Sequence, residues 1–152
     1  MKTRAWGNEF RLTQLCVDSY DDGVLCGRVY NPYKEGGVEF KSLSQFILLM
    51  EDILDEMDFP QPFTETRSFA PPVENFRQTV SSDLQRGKLA TFSIRIIYRQ
   101  HTSWQGYVVW NGKNKEEWFR SALELILLID SALRTELAAT SVPNAGNRPH
   151  CE

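Results

Sequence analysis

Between Phe92 and Arg99 apolar and polar side chains alternate: Phe92, Ile94, Ile96 and Tyr98 fall on one face, Ser93, Arg95, Ile97 and Arg99 on the other. A period of two predicts a half-buried strand over Thr91–Arg99. A second strand is predicted over Trp104–Trp110, after the turn His101-Thr102-Ser103. A turn-rich stretch, Asn111-Gly112-Lys113-Asn114, leads into a short third strand ending at Phe119. The period then changes to that of a helix, with Ala122, Leu125, Ile126, Ile129, Ala132 and Leu133 on one stripe. The first half reads in the same order. It has a strand around Leu12–Val17, the turn Asp21-Asp22-Gly23, a strand over Val24–Tyr30, turn residues from Asn31 to Gly37, and a strand ending at Phe40. Its helical stripe is Leu43, Phe46, Ile47, Met50, Ile53, Leu54 and Met57.

The two halves superpose in sequence at an offset of 79, where Gly27–Leu54 falls on Gly106–Leu133 without a gap and nine of 28 pairs are identical. Two amphipathic helices could match by chance, but chance would not also align Gly27 and Val29 with Gly106 and Val108, or Phe40-x-Ser42 with Phe119-x-Ser121. A tandem duplication is therefore expected. Both helices should begin at these serines, because Gln45 follows Ser42, and Glu124 follows Ser121, at capping-box spacing. An alternative box, Asn114-x-x-Glu117, would start the second helix earlier, and the alignment favours Ser121. The fold class is α+β: two β-meander-plus-helix units, with an antiparallel sheet carrying two helices on one side.

One domain is expected over residues 1–137, built from repeats at about 10–57 and 89–136. The connection 58–88 carries Pro60, Pro62, Pro71 and Pro72, a candidate short helix at Val73–Gln85, and Phe59, Phe63, Phe69 and Phe76 as anchors onto the core. Residues 138–152 are small and polar and read as a disordered tail. Off-stripe leucines (Leu48, Leu49, Leu127, Leu128) predict either helix-on-helix packing, the preferred reading, or a second subunit.

The composition is that of an ordinary globular chain: 152 residues, 41% hydrophobic and 24% charged. A net charge of −3 argues against a dedicated polyanion binder. Charge is nevertheless segregated, at −6 over residues 1–75, +5 over 76–120 and −2 over 121–152. Three cysteines are too few for a disulfide scaffold or zinc module, and Cys16 and Cys26 read as small residues of one hairpin. The opening MKTRAWGNEF has no apolar signal core, and the run Leu125–Ile129 is too short to span a bilayer, so a cytoplasmic location without membrane contact is expected.

Candidate chemistry is sparse. His101 lies at a hairpin tip and His150 in the tail, without a nucleophile signature, so no catalytic residue, cofactor or metal is assigned and an enzyme is not expected. The acidic run Glu51, Asp52, Asp55, Glu56 and Asp58 reads as a solvated face rather than a metal site. Strand alternation singles out Arg95, Ile97, Arg99, Gln105, Tyr107, Val109, Trp118 and Arg120 on the second unit's face away from the helices. Aromatic, aliphatic and arginine side chains in this mixture are enriched at protein interfaces. The matching positions in unit one, including Cys16, Cys26, Arg28, Tyr30, Glu39 and Lys41, are smaller and less aromatic. A binding or adaptor module is expected, with a protein partner or a second copy as occupant. The alternative is nucleic acid, with Arg95, Arg99, Arg120 and Lys115 on phosphates while Tyr107 and Trp118 stack on bases.

The segments Tyr98–Gly106 (YRQHTSWQG) and Phe119–Leu133 (FRSALELILLIDSAL) resemble a family of small Gram-positive bacterial proteins. That resemblance implies a bacterial source and carries over no activity and no site residue.

Overall fold

A computed structural model describes residues 12–32, 36–58, 60–62, 69, 80–81 and 86–140. The order is β1 (Leu12–Asp21), β2 (Val24–Tyr30), β3 (Gly37–Phe40), α1 (Leu43–Met57), β4 (Val80–Ser81), β5 (Ala90–Tyr98), β6 (Gln105–Trp110), β7 (Lys115–Phe119) and α2 (Ala122–Thr140). The six longer strands and the two-residue β4 form one sheet in the order β4-β3-β2-β1-β5-β6-β7, and every ladder is antiparallel. The protein is thus α+β, with β1 and β5 joining its halves at the centre.

Local chemistry sets these elements. Ser42 caps α1 by accepting from the Gln45 N–H at 3.1 Å, and Gln45 Oε1 accepts from the Lys41 N–H at 2.7 Å. Ser121 and Glu124 repeat the reciprocal box on α2, both bonds at 3.1 Å. Asn114 instead has φ 52° in the turn before β7, so the alternative start is not used.

The strands of the two halves match at the same offset of 79. Gly27 stands opposite Phe40, and Gly106 opposite Phe119. Each glycine also lies against the neighbouring strand: a Cβ would meet the Cys16 carbonyl oxygen at 2.0 Å, or that of Arg95 at 1.9 Å. Backbones this close leave no room for a side chain. One step further, both hairpins carry a bulge, between Val17 and Ser19 and between Ile96 and Tyr98.

Both helices bury their apolar stripes in one core with Leu15, Val17, Val29, Phe92, Ile94 and Val108. Each fully buried Leu, Ile or Phe contributes about 1.5–3 kcal/mol of transfer free energy. Phe46 sits at its heart, 5.3 Å from the Phe40 ring centroid and edge-on to Trp104 at 6.5 Å. α1 lies over β2 and β3, and α2 over β6 and β7.

Several expectations need correcting. Leu49 is buried and Leu128 packs against the core, but Leu48 and Leu127 face outward, so helix-on-helix packing does not account for all the surplus leucines. α2 runs through Ala138 and Ala139 to Thr140, past the expected tail boundary, since alanine continues a helix readily. Of the proposed Val73–Gln85 helix only Val80–Ser81 is described, and it is a strand paired with Gly37–Val38. Phe69 is fully exposed rather than an anchor, while Phe59, Phe63, Phe76 and the tail beyond 140 lie outside the described residues.

Candidate interaction face

Leu12, Arg95, Tyr107 and Trp118 stand in one row across β1, β5, β6 and β7, each opposite the next, on the sheet face away from the helices. Register alone brings them together, because side chains directly opposite on adjacent strands are neighbours. Arg95 donates from Nη1 to the Tyr107 hydroxyl, and its guanidinium lies 5.3 Å from that ring's centroid. The Tyr107 and Trp118 rings follow at 5.1 Å, tilted by 59°. Trp118 is 64% exposed on the terminal strand β7, whereas Trp104 is buried to 2%. Arg95 Nε is buried without a hydrogen-bond partner, an unmet donor within the row.

The remaining expected face residues divide. Val109, beside Tyr107 on β6, is half-buried opposite Glu116, and Ile97 is half-buried at the β5 bulge. Gln105 is consumed internally: it accepts from the Gln100 N–H at 2.8 Å and donates to the carbonyls of Gln100 and Arg120. Arg120 is exposed but paired with Glu124 at 3.0 Å across the start of α2.

Arg99 does not belong to this face. The bulge at Ile97 shifts the alternation by one residue, so Tyr98 pairs with Gln105 and Arg99 turns under the helices. There Arg99, with its side chain only 3% exposed, meets Asp55 at 2.7 Å and Glu51 at 3.6 Å, and donates to the Pro60 carbonyl at 2.6 Å. Glu51 also accepts from Trp104 Nε1. Two members of the supposedly solvated acidic run therefore hold a buried cation. The clue in the sequence was the excess of carboxylates near the end of α1, where the helix dipole favours cations.

The corresponding face of the first half is covered at its centre, while Glu39 and Lys41 at its edge are exposed. Arg28 is gripped by both carboxylate oxygens of Asp18 at 3.1 Å, by the Tyr30 hydroxyl at 2.8 Å and by the Arg86 carbonyl at 2.8 Å. Burial, the largest single effect, would lower the Arg28 pKa, but the Asp18 bond and charge together with Tyr30 and Cys16 outweigh it and hold the guanidinium above its ordinary value. Cys16, Cys26 and Tyr30 are buried on the same face, and burial pushes the Cys16 thiol up to about 11. Cys16 stands opposite Arg28 and Cys26 opposite Ser19, so the two cysteines are not cross-strand partners.

His101 is exposed at the β5–β6 turn. Among the described residues no group of three His, Cys, Asp or Glu side chains is placed to hold a metal ion, and no helix is long and apolar enough to cross a membrane. The chain matches no protein-family model, no curated protein and no solved structure.

Proposed function

We propose that the protein is a non-enzymatic binding module that engages a protein partner, or a second copy of itself, through the β5–β7 sheet face centred on Tyr107 and Trp118. The observation that carries this reading is the register-aligned row Arg95–Tyr107–Trp118. It joins an exposed tryptophan to a packed tyrosine and a half-buried arginine. Interfaces draw much of their affinity from such aromatic and arginine anchors. Nucleic acid is the weaker reading, because Arg99 is buried against carboxylates and Arg120 is paired with Glu124.

The same proposal includes descent by tandem duplication, supported by the shared bulges, crowded glycines and capping boxes at one offset. After copying, the first half covered the centre of its face around Arg28 and the second kept the aromatic pair Tyr107–Trp118. The resemblance to small Gram-positive proteins rests on Tyr98–Gly106 and Phe119–Leu133 and adds a bacterial setting to this reading.

Replacing Tyr107 and Trp118 together by alanine tests it. Loss of partner capture, or of self-association by light scattering, with a nearly unchanged thermal melt is expected. A melt that collapses in parallel with binding would show that the two rings serve the fold.

A further inference from the structure

The two halves share a backbone plan, yet their helix-to-sheet seams differ. In the first half Val38, Leu49, Met50 and Ile53 are buried between α1 and β2–β3, and the Asn31 amide donates to the Thr13 hydroxyl at 3.0 Å. At the same offset, the second half replaces Ile53 by Ala132, Met50 by Ile129, Val38 by Glu117 and the Thr13–Asn31 pair by Phe92–Trp110. Where these exchanges fall, between α2 and β5–β7, lies a cavity of about 270 Å³. Its floor is aromatic, the Phe92 and Trp110 rings stacking at 6.3 Å with 27° between planes. Lys113 sits 5.7 Å from the Trp110 centroid and is tied to Glu136 at 3.2 Å. Small-molecule sites usually span roughly 300–1,000 Å³, so this cavity suits a small occupant.

Its rim carries opposite charges. Lys115 and Glu117 lie two residues apart on β7, on the side that lines the cavity. Neither has an ion-pair partner among the described residues. Side chains at i and i+2 of a strand share one face about 6–7 Å apart, a span that lets the ammonium and the carboxylate close on two neighbouring charges of a single ligand.

We propose that this cavity binds a small zwitterion with a flat apolar side chain, an aromatic α-amino acid. The ring extends the Phe92–Trp110 stack under Ala132, Lys115 takes the carboxylate, and Glu117 takes the ammonium. The site lies on the helix side of the sheet, apart from the Tyr107–Trp118 face, so either assignment stands without the other.

Calorimetric titration of the full chain with L-phenylalanine, phenylpropionate and phenethylamine tests the proposal. L-phenylalanine should bind, and each compound lacking one charge should bind about tenfold more weakly, as loss of one charged hydrogen bond predicts. Ala132→Ile, which installs the larger residue found at the matching position of the first half, should abolish binding with an unchanged or higher melting temperature. Should that variant fold poorly, Lys115→Gln on the exposed rim should weaken L-phenylalanine about tenfold while leaving the melt alone. The proposal is overturned if L-phenylalanine gives neither heat nor a melting shift at millimolar concentration. Phenylpropionate or phenethylamine binding as well as the amino acid overturns it too, as does undiminished binding by a folded Ala132→Ile or Lys115→Gln variant.

Discussion

Gln14 and Ser93 stand opposite each other on β1 and β5, and they are also each other's counterparts at the offset of 79. A local two-fold axis therefore passes between them and exchanges the halves. On either side, the pair Leu12–Arg95 is the counterpart of Cys16–Thr91. Past the bulges the axis generates a second matched set. Tyr20 at the end of β1 donates to Asp130 of α2, and Arg99, its counterpart beyond β5, pairs with Glu51 of α1. Each half thus reaches across the sheet to hold the other's helix.

These cross-braces should differ in strength. Arg99 is buried and makes several charged bonds, so Arg99→Ala should lower unfolding free energy by about 2–3 kcal/mol. Arg99→Met should recover much of that loss, since Glu51 and Asp55 are partly exposed and rehydrate. Tyr20→Phe removes one bond and should cost about 1–2 kcal/mol. Urea unfolding curves would establish the ranking.

The Tyr20 brace also sets a pH window. The Tyr20 bond, helped by Arg134, holds the Asp130 carboxyl below the usual carboxylate range despite partial burial. That contribution is complete above the unfolded carboxylate pKa and disappears as pH falls through the lower, folded value. The Asp130 bond, with burial, pushes the Tyr20 phenol up. Its contribution is complete below the unfolded phenol pKa and disappears as pH rises through the folded value. Stability against pH should therefore lose amplitude at both its acid and its alkaline limb in Tyr20→Phe, relative to the parent.

The two hairpin turns have the same handedness but different chemistry. Asp22 and Gly23 have φ of 51° and 76°; His101 and Thr102 have 56° and 52°. A β-branched residue in the left-handed region is strained, so Thr102→Gly should stabilise the protein by about 1 kcal/mol. A thermal melt that stays put or falls would contradict this.

Ser42→Ala and Ser121→Ala should each cost about 1 kcal/mol, and the double variant about their sum, because the caps sit on separate helices. Urea midpoints of the four proteins form the cycle that measures it.

The meander-helix order, both capping boxes and the strand ends at Phe40 and Phe119 were legible in the sequence because each has a local signature: a period, a reciprocal hydrogen bond or a turn. The bulges at Asp18 and Ile97 were not. An inserted strand residue has no compositional mark, yet it reverses every side chain beyond it. That reversal moved Arg99 from the interaction face to the core and made Glu51 and Asp55 its partners. Gln105 lies on the expected side with its amide already bonded, since alternation gives the side of a sheet and not the bonds a side chain has already made. Trp118 kept its assigned place because β7 carries no bulge and pairs evenly from Lys115 to Phe119.

Site-specific photo-crosslinking from position 118, with the exposed position 48 on α1 as a reference, addresses the interaction face most directly. A discrete adduct with a partner or a second copy should form from 118, fail from 48, and vanish when Tyr107→Ala is added. No adduct from 118, or the same adduct from 48, would contradict the assignment of the β5–β7 face.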